Sequence, residues 1–121
     1  MIEESQMKID TTRSFDVHQT ETSRLDQVDF NDLDFGRVFS DHMFVMEYED
    51  GEWQRGSVEP YGPFTMSPAS MVFHYGQAIF EGMKAYRSTD GTVSLFRPGS
   101  NIERFNVSAR RMCMPEVPED V

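Results

Sequence analysis

Apolar residues recur at helical spacing in two stretches of the chain. In the first, Met71, Val72, Tyr75, Ala78 and Ile79 fall on one face. Ser67 before it suits a cap, since its side chain can accept a free backbone N–H, and Pro68 suits the first helical position. Gly82 offers the left-handed conformation that ends a helix. In the second, Ile102, Phe105, Ala109, Met112 and Cys113 share a face. Ser100 and Glu103 have the spacing of a capping box, and Pro115 and Pro118 stop the helix. Strand patterns surround these helices. Residues 43–48 and 52–58 flank Asp50-Gly51, a pair that tolerates positive φ and so predicts a hairpin. Residues 83–87 and 92–96 flank Ser88-Thr89-Asp90-Gly91 and predict a second one. Pro60, Gly62 and Pro63 punctuate a loop, and residues 64–66 form another short extended piece. Val28 to Asp34 alternates only weakly, and Phe35-Gly36 opens the well-patterned part. Residues 1–27 show no sustained period and read as a mobile acidic tail ahead of one domain, 28–121. Antiparallel hairpins with two helices predict an α+β fold.

Charge sharpens that division. The chain of 121 residues carries a formal net charge of −10, and residues 1–34 hold nine acids against three bases. An acidic balance of this kind opposes nucleic acid and anionic membrane as partners, since both are polyanions. Apolar residues make up 38% of the chain and ten are Phe, enough for one domain with a modest core. A single cysteine, Cys113, excludes an internal disulfide and a Cys-rich metal site, and its place on an apolar helix face predicts a buried, inert thiol. No apolar run reaches the length of a membrane span and the first residues are polar, so a soluble, cytoplasmic protein is expected.

Few residues carry chemistry. His18, His42 and His74 lack metal-ligand spacing and are assigned structural roles, so no metal is expected. Glu81 fits a general base or a residue that orders the turn after the first helix, and the second reading is preferred. Arg104 is expected in the opening turn of the last helix, where free N–H groups and the dipole favour an anion. Spacing alone favours a surface arginine paired with a carboxylate. Tyr75 and Phe80 stand five positions apart, so on a helix they would line two parts of one cavity only at its end. Plain core packing fits them equally.

The stretch from His74 to Arg87 (His-Tyr-Gly-Gln-Ala-Ile-Phe-Glu-Gly-Met-Lys-Ala-Tyr-Arg) resembles the signature of the branched-chain aminotransferases, fold-type IV enzymes that use pyridoxal phosphate. The resemblance extends to Phe35-Gly36-Arg37-Val38-Phe39-Ser40-Asp41-His42-Met43, to Leu95-Phe96-Arg97-Pro98 followed by Asn101-Ile102-Glu103-Arg104-Phe105, and to Met114-Pro115-Glu116-Val117-Pro118-Glu119. Several motifs in family order, over roughly residue 28 to the end, are more specific than any one short pattern. By resemblance, Arg104 takes the position of the arginine that binds the cofactor phosphate. Phe35, Tyr75 and Phe80 align with aromatic residues walling the substrate side-chain pocket, which suits Leu, Ile and Val and their 2-oxo acids. The resemblance implies amino transfer to 2-oxoglutarate and a homodimer.

The catalytic lysine of that family, which bonds to the cofactor, has no match here. The chain's two lysines are Lys8, in the expected tail, and Lys84, in an expected strand. The family's lysine lies in a larger C-terminal domain, expected beyond Val121, so this chain reads as the N-terminal small domain, inactive alone. Two alternatives share the fold, a D-amino-acid aminotransferase and an aminodeoxychorismate lyase. The Glu-Gly-Met-Lys-Ala-Tyr-Arg and Met-Pro-Glu-Val-Pro-Glu pieces favour the branched-chain group. A stand-alone, non-catalytic α+β binding or dimerisation module is the rival of another class.

Overall fold

A computed structural model describes residues 15–119. The architecture is mixed, with small sheets and two helices, as the α+β reading expects. The chain divides into two compact units, Met1–Pro63 and Phe64–Val121.

The first unit is built on a three-stranded sheet, in the order β1 (Asp16–Val17), β5 (Ser57–Pro60), β2 (His42–Val45). Strand β5 is central: Val58 stands opposite Phe44 in the antiparallel pair and opposite Val17 in the parallel one. Beyond β2 the chain continues into the short hairpin of β3 (Tyr48–Glu49) and β4 (Glu52–Trp53). Its turn is the one the sequence predicts. Asp50 and Gly51 adopt φ of 51° and 86°, the left-handed pair that a two-residue hairpin requires. The Tyr48 and Trp53 rings meet edge-on across it, 5.2 Å between centroids. The predicted return strand 52–58 is interrupted: Gln54 N–H still reaches the Glu47 carbonyl at 2.8 Å, whereas Val45 already faces Ser57. One residue therefore opposes two, the signature of a β-bulge. The bulge holds Gly56, which is buried. A Cβ there would lie 2.4 Å from the Phe44 ring, so the ring's position depends on glycine.

The segment expected as a tail, residues 1–27, is described only in part. Residues 1–14 lie outside the described residues. Residues 15–27 are tied to the sheet: Asp16 and His18 N–H groups donate to the Gly56 and Val58 carbonyls at 3.0 and 2.8 Å. Farther along, the Ser23 hydroxyl and the Arg24 N–H donate to the Asp41 carboxylate at 2.6 and 3.0 Å. Those bonds, the Ser23 hydroxyl first, hold the Asp41 carboxyl below its usual range. His42 Nε2 accepts the Thr20 N–H at 3.0 Å. Charge pattern alone does not reveal this strap, because two-residue strands and side-chain anchors leave no periodicity to read.

The second unit contains α1 (Met71–Tyr75), the hairpin of β6 (Ala85–Arg87) and β7 (Val93–Leu95), and α2 (Pro98–Arg111). The hairpin matches its prediction, with Gly91 at φ 86° closing the turn and Asp90 accepting the Thr92 N–H at 2.9 Å. Lys84 stands just before β6 and is exposed. Helix α1 departs from expectation. It starts after Ser70 rather than Ser67, and it ends at Gly76, φ 59°, rather than at Gly82. Glycine there is a poor helix interior and a good left-handed stop. The Ala78 N–H turns back to the Gly76 carbonyl at 2.8 Å, which takes Ala78 and Ile79 off the predicted helical face.

Helix α2 forms where predicted but begins earlier, with Pro98 in its first turn behind Arg97 at φ 47°. No side chain caps it, so the expected Ser100–Glu103 capping box does not form; the Ser100 N–H donates instead to the Arg97 carbonyl at 3.0 Å. Ala109 and Asn106 are buried on its inner face. The helix ends in a Schellman motif: Met114 N–H reaches the Ala109 carbonyl at 2.9 Å and Cys113 N–H the Arg110 carbonyl at 3.2 Å. Cys113 takes the left-handed position of that motif, φ 54°, and is exposed, contrary to the buried thiol expected of it. Once the helix stops at Arg111, residue 113 no longer follows the helical face.

Candidate functional site

Arg104 is the seventh residue of α2, not part of its opening turn, so free N–H groups at the helix start do not lie beside it. Its setting comes instead from the loop between α1 and β6. Arg104 Nε donates to Glu81 Oε2 at 2.7 Å and Nη2 donates to Oε1 at 2.5 Å, a two-point pair. Asn101, three residues earlier and on the same face of α2, donates from Nδ2 to Glu81 Oε1 at 3.2 Å and to the Gly82 carbonyl at 2.9 Å. The Gly82 N–H adds a further bond to Oε1 at 3.1 Å. Oε1 is therefore held from three directions and Oε2 from one, and the Glu81 side chain is only 16% exposed, against 68% for Arg104.

This arrangement sets the electrostatics. The hydrogen bonds from Arg104 are the largest cause that lowers the Glu81 carboxyl to about 2; desolvation opposes them as the next largest, and the bond from Asn101, the charge of Arg104 and the bond from Gly82 add to the lowering. The Arg104 guanidinium is correspondingly held more firmly protonated by Glu81. A carboxylate held this low is a weak base, and its oxygens are already engaged by Arg104, Asn101 and Gly82, which favours its reading as an ordering residue. Glu81 occupies Arg104 on the Nε–Nη2 side. Among the described residues, the Nη1 group and the second Nη2 hydrogen carry no partner, and they form the outward end of the fork.

The aromatic candidates lie on open surface. Phe80 follows α1 in irregular chain and is 91% exposed; Tyr75, the last residue of α1, is 76% exposed. Phe80 lines a shallow hollow of ≈ 330 Å³ together with Ala78, Ile79, Ser108, Arg111 and Met112, and Tyr75 is not among its walls. Gln77 fixes this edge by donating from Nε2 to the Met112 carbonyl at 2.8 Å. Phe35 belongs to the first unit, where it is 105% exposed. Among the described residues no group of three or more His, Cys, Asp or Glu could hold a metal ion, and no helix is long and apolar enough to cross a membrane.

Sequence reasoning picked out Arg104 and left its anchor unassigned. The available signal was the i, i+3 spacing of Asn101 and Arg104, two donors on one helix face that call for a common acceptor.

The chain aligns with branched-chain-amino-acid transaminase 1 of Bacillus subtilis at 54% identity over 94 residues, 77% of this chain and 26% of that protein. Branched-chain-amino-acid aminotransferase 2 of the same organism is 50% identical over 111 residues, 91% of this chain and 30% of its own length. The chloroplastic branched-chain-amino-acid aminotransferase 5 of Arabidopsis thaliana is 43% identical over 97 residues, 79% of this chain and 23% of that one. The chain is a homologue of the branched-chain-amino-acid aminotransferases. It spans less than a third of the length of these relatives. No family model matches it.

Proposed function

We propose that this chain is the N-terminal portion of a branched-chain aminotransferase that moves the amino group of Leu, Ile or Val to 2-oxoglutarate with pyridoxal phosphate. The observation that carries the reading is identity near 50% to relatives of that name across most of the chain. When bound, the cofactor supplies the electron sink that amino transfer requires. Arg104 fits its phosphate: a guanidinium already aligned by Glu81 keeps a two-donor end free, and that end matches two phosphate oxygens.

Tyr75 and Phe80 in the second unit, and separately Phe35 in the first, are each assigned to contact with a substrate side chain. They are exposed aromatic surface, and burying an aliphatic side chain against them removes apolar area from water. Such contacts discriminate weakly among Leu, Ile and Val, since one methylene is worth only about 1–3 kcal/mol. The same reading assigns the protein to homodimers in the cytoplasm, without nucleic-acid or membrane partners. The net charge of −10 is the feature that favours the last point, since both excluded partners are polyanions.

The test is Arg104→Ala in the complete protein carrying this segment. It is expected to weaken cofactor retention, read as the fraction of pyridoxal phosphate kept after dialysis. Unchanged retention removes Arg104 from the site. Preferred turnover of a D-amino acid over L-leucine would overturn the substrate class.

A further inference from the structure

We propose that Glu81 is the positioning residue for the phosphate contact: it grips Arg104 along the Nε–Nη2 side so that the Nη1–Nη2 end meets the incoming phosphate. The inference rests on the reading of Arg104 given above and goes beyond it, since it assigns the carboxylate a part in cofactor affinity. Three observations carry it. The pair is two-pointed, through Nε at 2.7 Å and Nη2 at 2.5 Å, and a planar fork held on one side has its other edge fixed in direction. The acceptor does not wander, because Asn101 Nδ2 and the Gly82 N–H hold the same Oε1 atom. Exposure is divided as positioning requires, with the carboxylate largely covered and the guanidinium largely open.

A carboxylate beside a phosphate-binding arginine also has an opposite effect, since it neutralises part of the charge that attracts the phosphate. Orientation and competition therefore predict opposite signs for removal of Glu81. The fixed geometry favours orientation. A free arginine samples many rotamers, and ordering it on binding costs affinity that a preset fork retains.

The experiment compares dissociation constants for pyridoxal phosphate and for pyridoxal, which lacks the phosphate, in the complete protein and its Glu81→Ala, Glu81→Gln and Arg104→Ala variants. Glu81→Ala is expected to weaken pyridoxal phosphate about tenfold, the scale seen when an outer partner of a ligand group is removed, and to leave pyridoxal unchanged. Glu81→Gln keeps one oxygen to accept an Arg104 N–H and is expected to restore part of the loss. With Arg104→Ala in place, removing Glu81 should change nothing further. Equal loss for both ligands would make Glu81 a structural residue only, and tighter pyridoxal phosphate binding would make it a competitor; either overturns the proposal. If Glu81→Ala does not fold, Glu81→Gln decides alone, and an unchanged ratio of the two constants overturns the proposal. A ratio unaffected by Arg104→Ala would instead overturn the phosphate reading of Arg104 itself.

Discussion

A cysteine holds a place that chemistry reserves for glycine. Cys113 sits at φ 54° in the Schellman motif that ends α2, with its own N–H and that of Met114 closing onto the helix. The left-handed conformation brings Cβ against the following carbonyl oxygen and costs a residue with a side chain about 1–2 kcal/mol. Glycine relieves that strain but gives back part of the gain through a freer unfolded chain. Cys113→Gly is therefore expected to raise stability by about 0.5–1 kcal/mol, read from the urea midpoint at unchanged slope. A lower midpoint would mean that the thiol makes a contact worth more than the strain. At this scale the sequence is legible where the residue type matches its conformation, as at Asp50-Gly51 and Gly91. It is not legible at Cys113, whose type argues for burial. Arg104 is an intermediate case. Spacing alone favoured pairing with a carboxylate, which the structure shows with Glu81, and the resemblance favoured a phosphate. A fork with two bonding edges accommodates both readings.

The two helices show what periodicity carries at the scale of an element. Both stretches have apolar residues at helical spacing, yet α2 runs for 14 residues and α1 for five. The difference lies in Gly76, which interrupts the first pattern after one turn. Short isolated helices gain little from propensity, so a left-handed glycine outweighs a continuing apolar stripe. Helix α2 has no such interruption, and its inner face is fixed by a side chain the apolar pattern passes over. Asn106, 4% exposed, donates from Nδ2 to the Val117 carbonyl and accepts the Val117 N–H, both at 2.9 Å, as one strand pairs with another. This amide brings the segment after α2 back onto the helix. Asn106→Ala leaves both Val117 backbone groups without their partner and is expected to cost about 2–3 kcal/mol. Amide exchange at Val117 should accelerate with it. Asn106→Asp keeps the acceptor for the Val117 N–H and loses the donor, so it should fall between the two. Unchanged exchange at Val117 in Asn106→Ala would show that the segment is held by other contacts.

At the scale of the whole molecule, the pattern of apolar residues does not say what covers them. Ala109 is the buried apolar residue among those described, whereas Phe35, Phe80, Phe96 and many other large side chains are open to water. Hairpins and helices could be read from spacing because spacing is local. Coverage depends on contacts beyond the local sequence, which spacing does not encode. The same consideration bears on activity. Amino transfer through pyridoxal phosphate needs a lysine held against the reactive carbon and a carboxylate near the ring nitrogen. The chain has two lysines. Lys8 lies outside the described residues. Lys84 is exposed ahead of β6, on the same strand-and-loop segment as Glu81. The nearby carboxylate of Glu81 is already committed to Arg104 and Asn101. On the proposed reading, Arg104 offers a single phosphate contact, in an open site. One charge-assisted hydrogen-bonded pair contributes about 1.5–3 kcal/mol, short of the about 4.1 kcal/mol that even millimolar binding needs. The 121-residue chain by itself is therefore expected to show no exchange between leucine and 2-oxoglutarate. Borohydride reduction after addition of pyridoxal phosphate should leave no stoichiometric adduct on mapping. A stoichiometric adduct at Lys84 accompanied by turnover would show that the reacting lysine is within this chain, and that the chemistry needs no more of the protein than these residues.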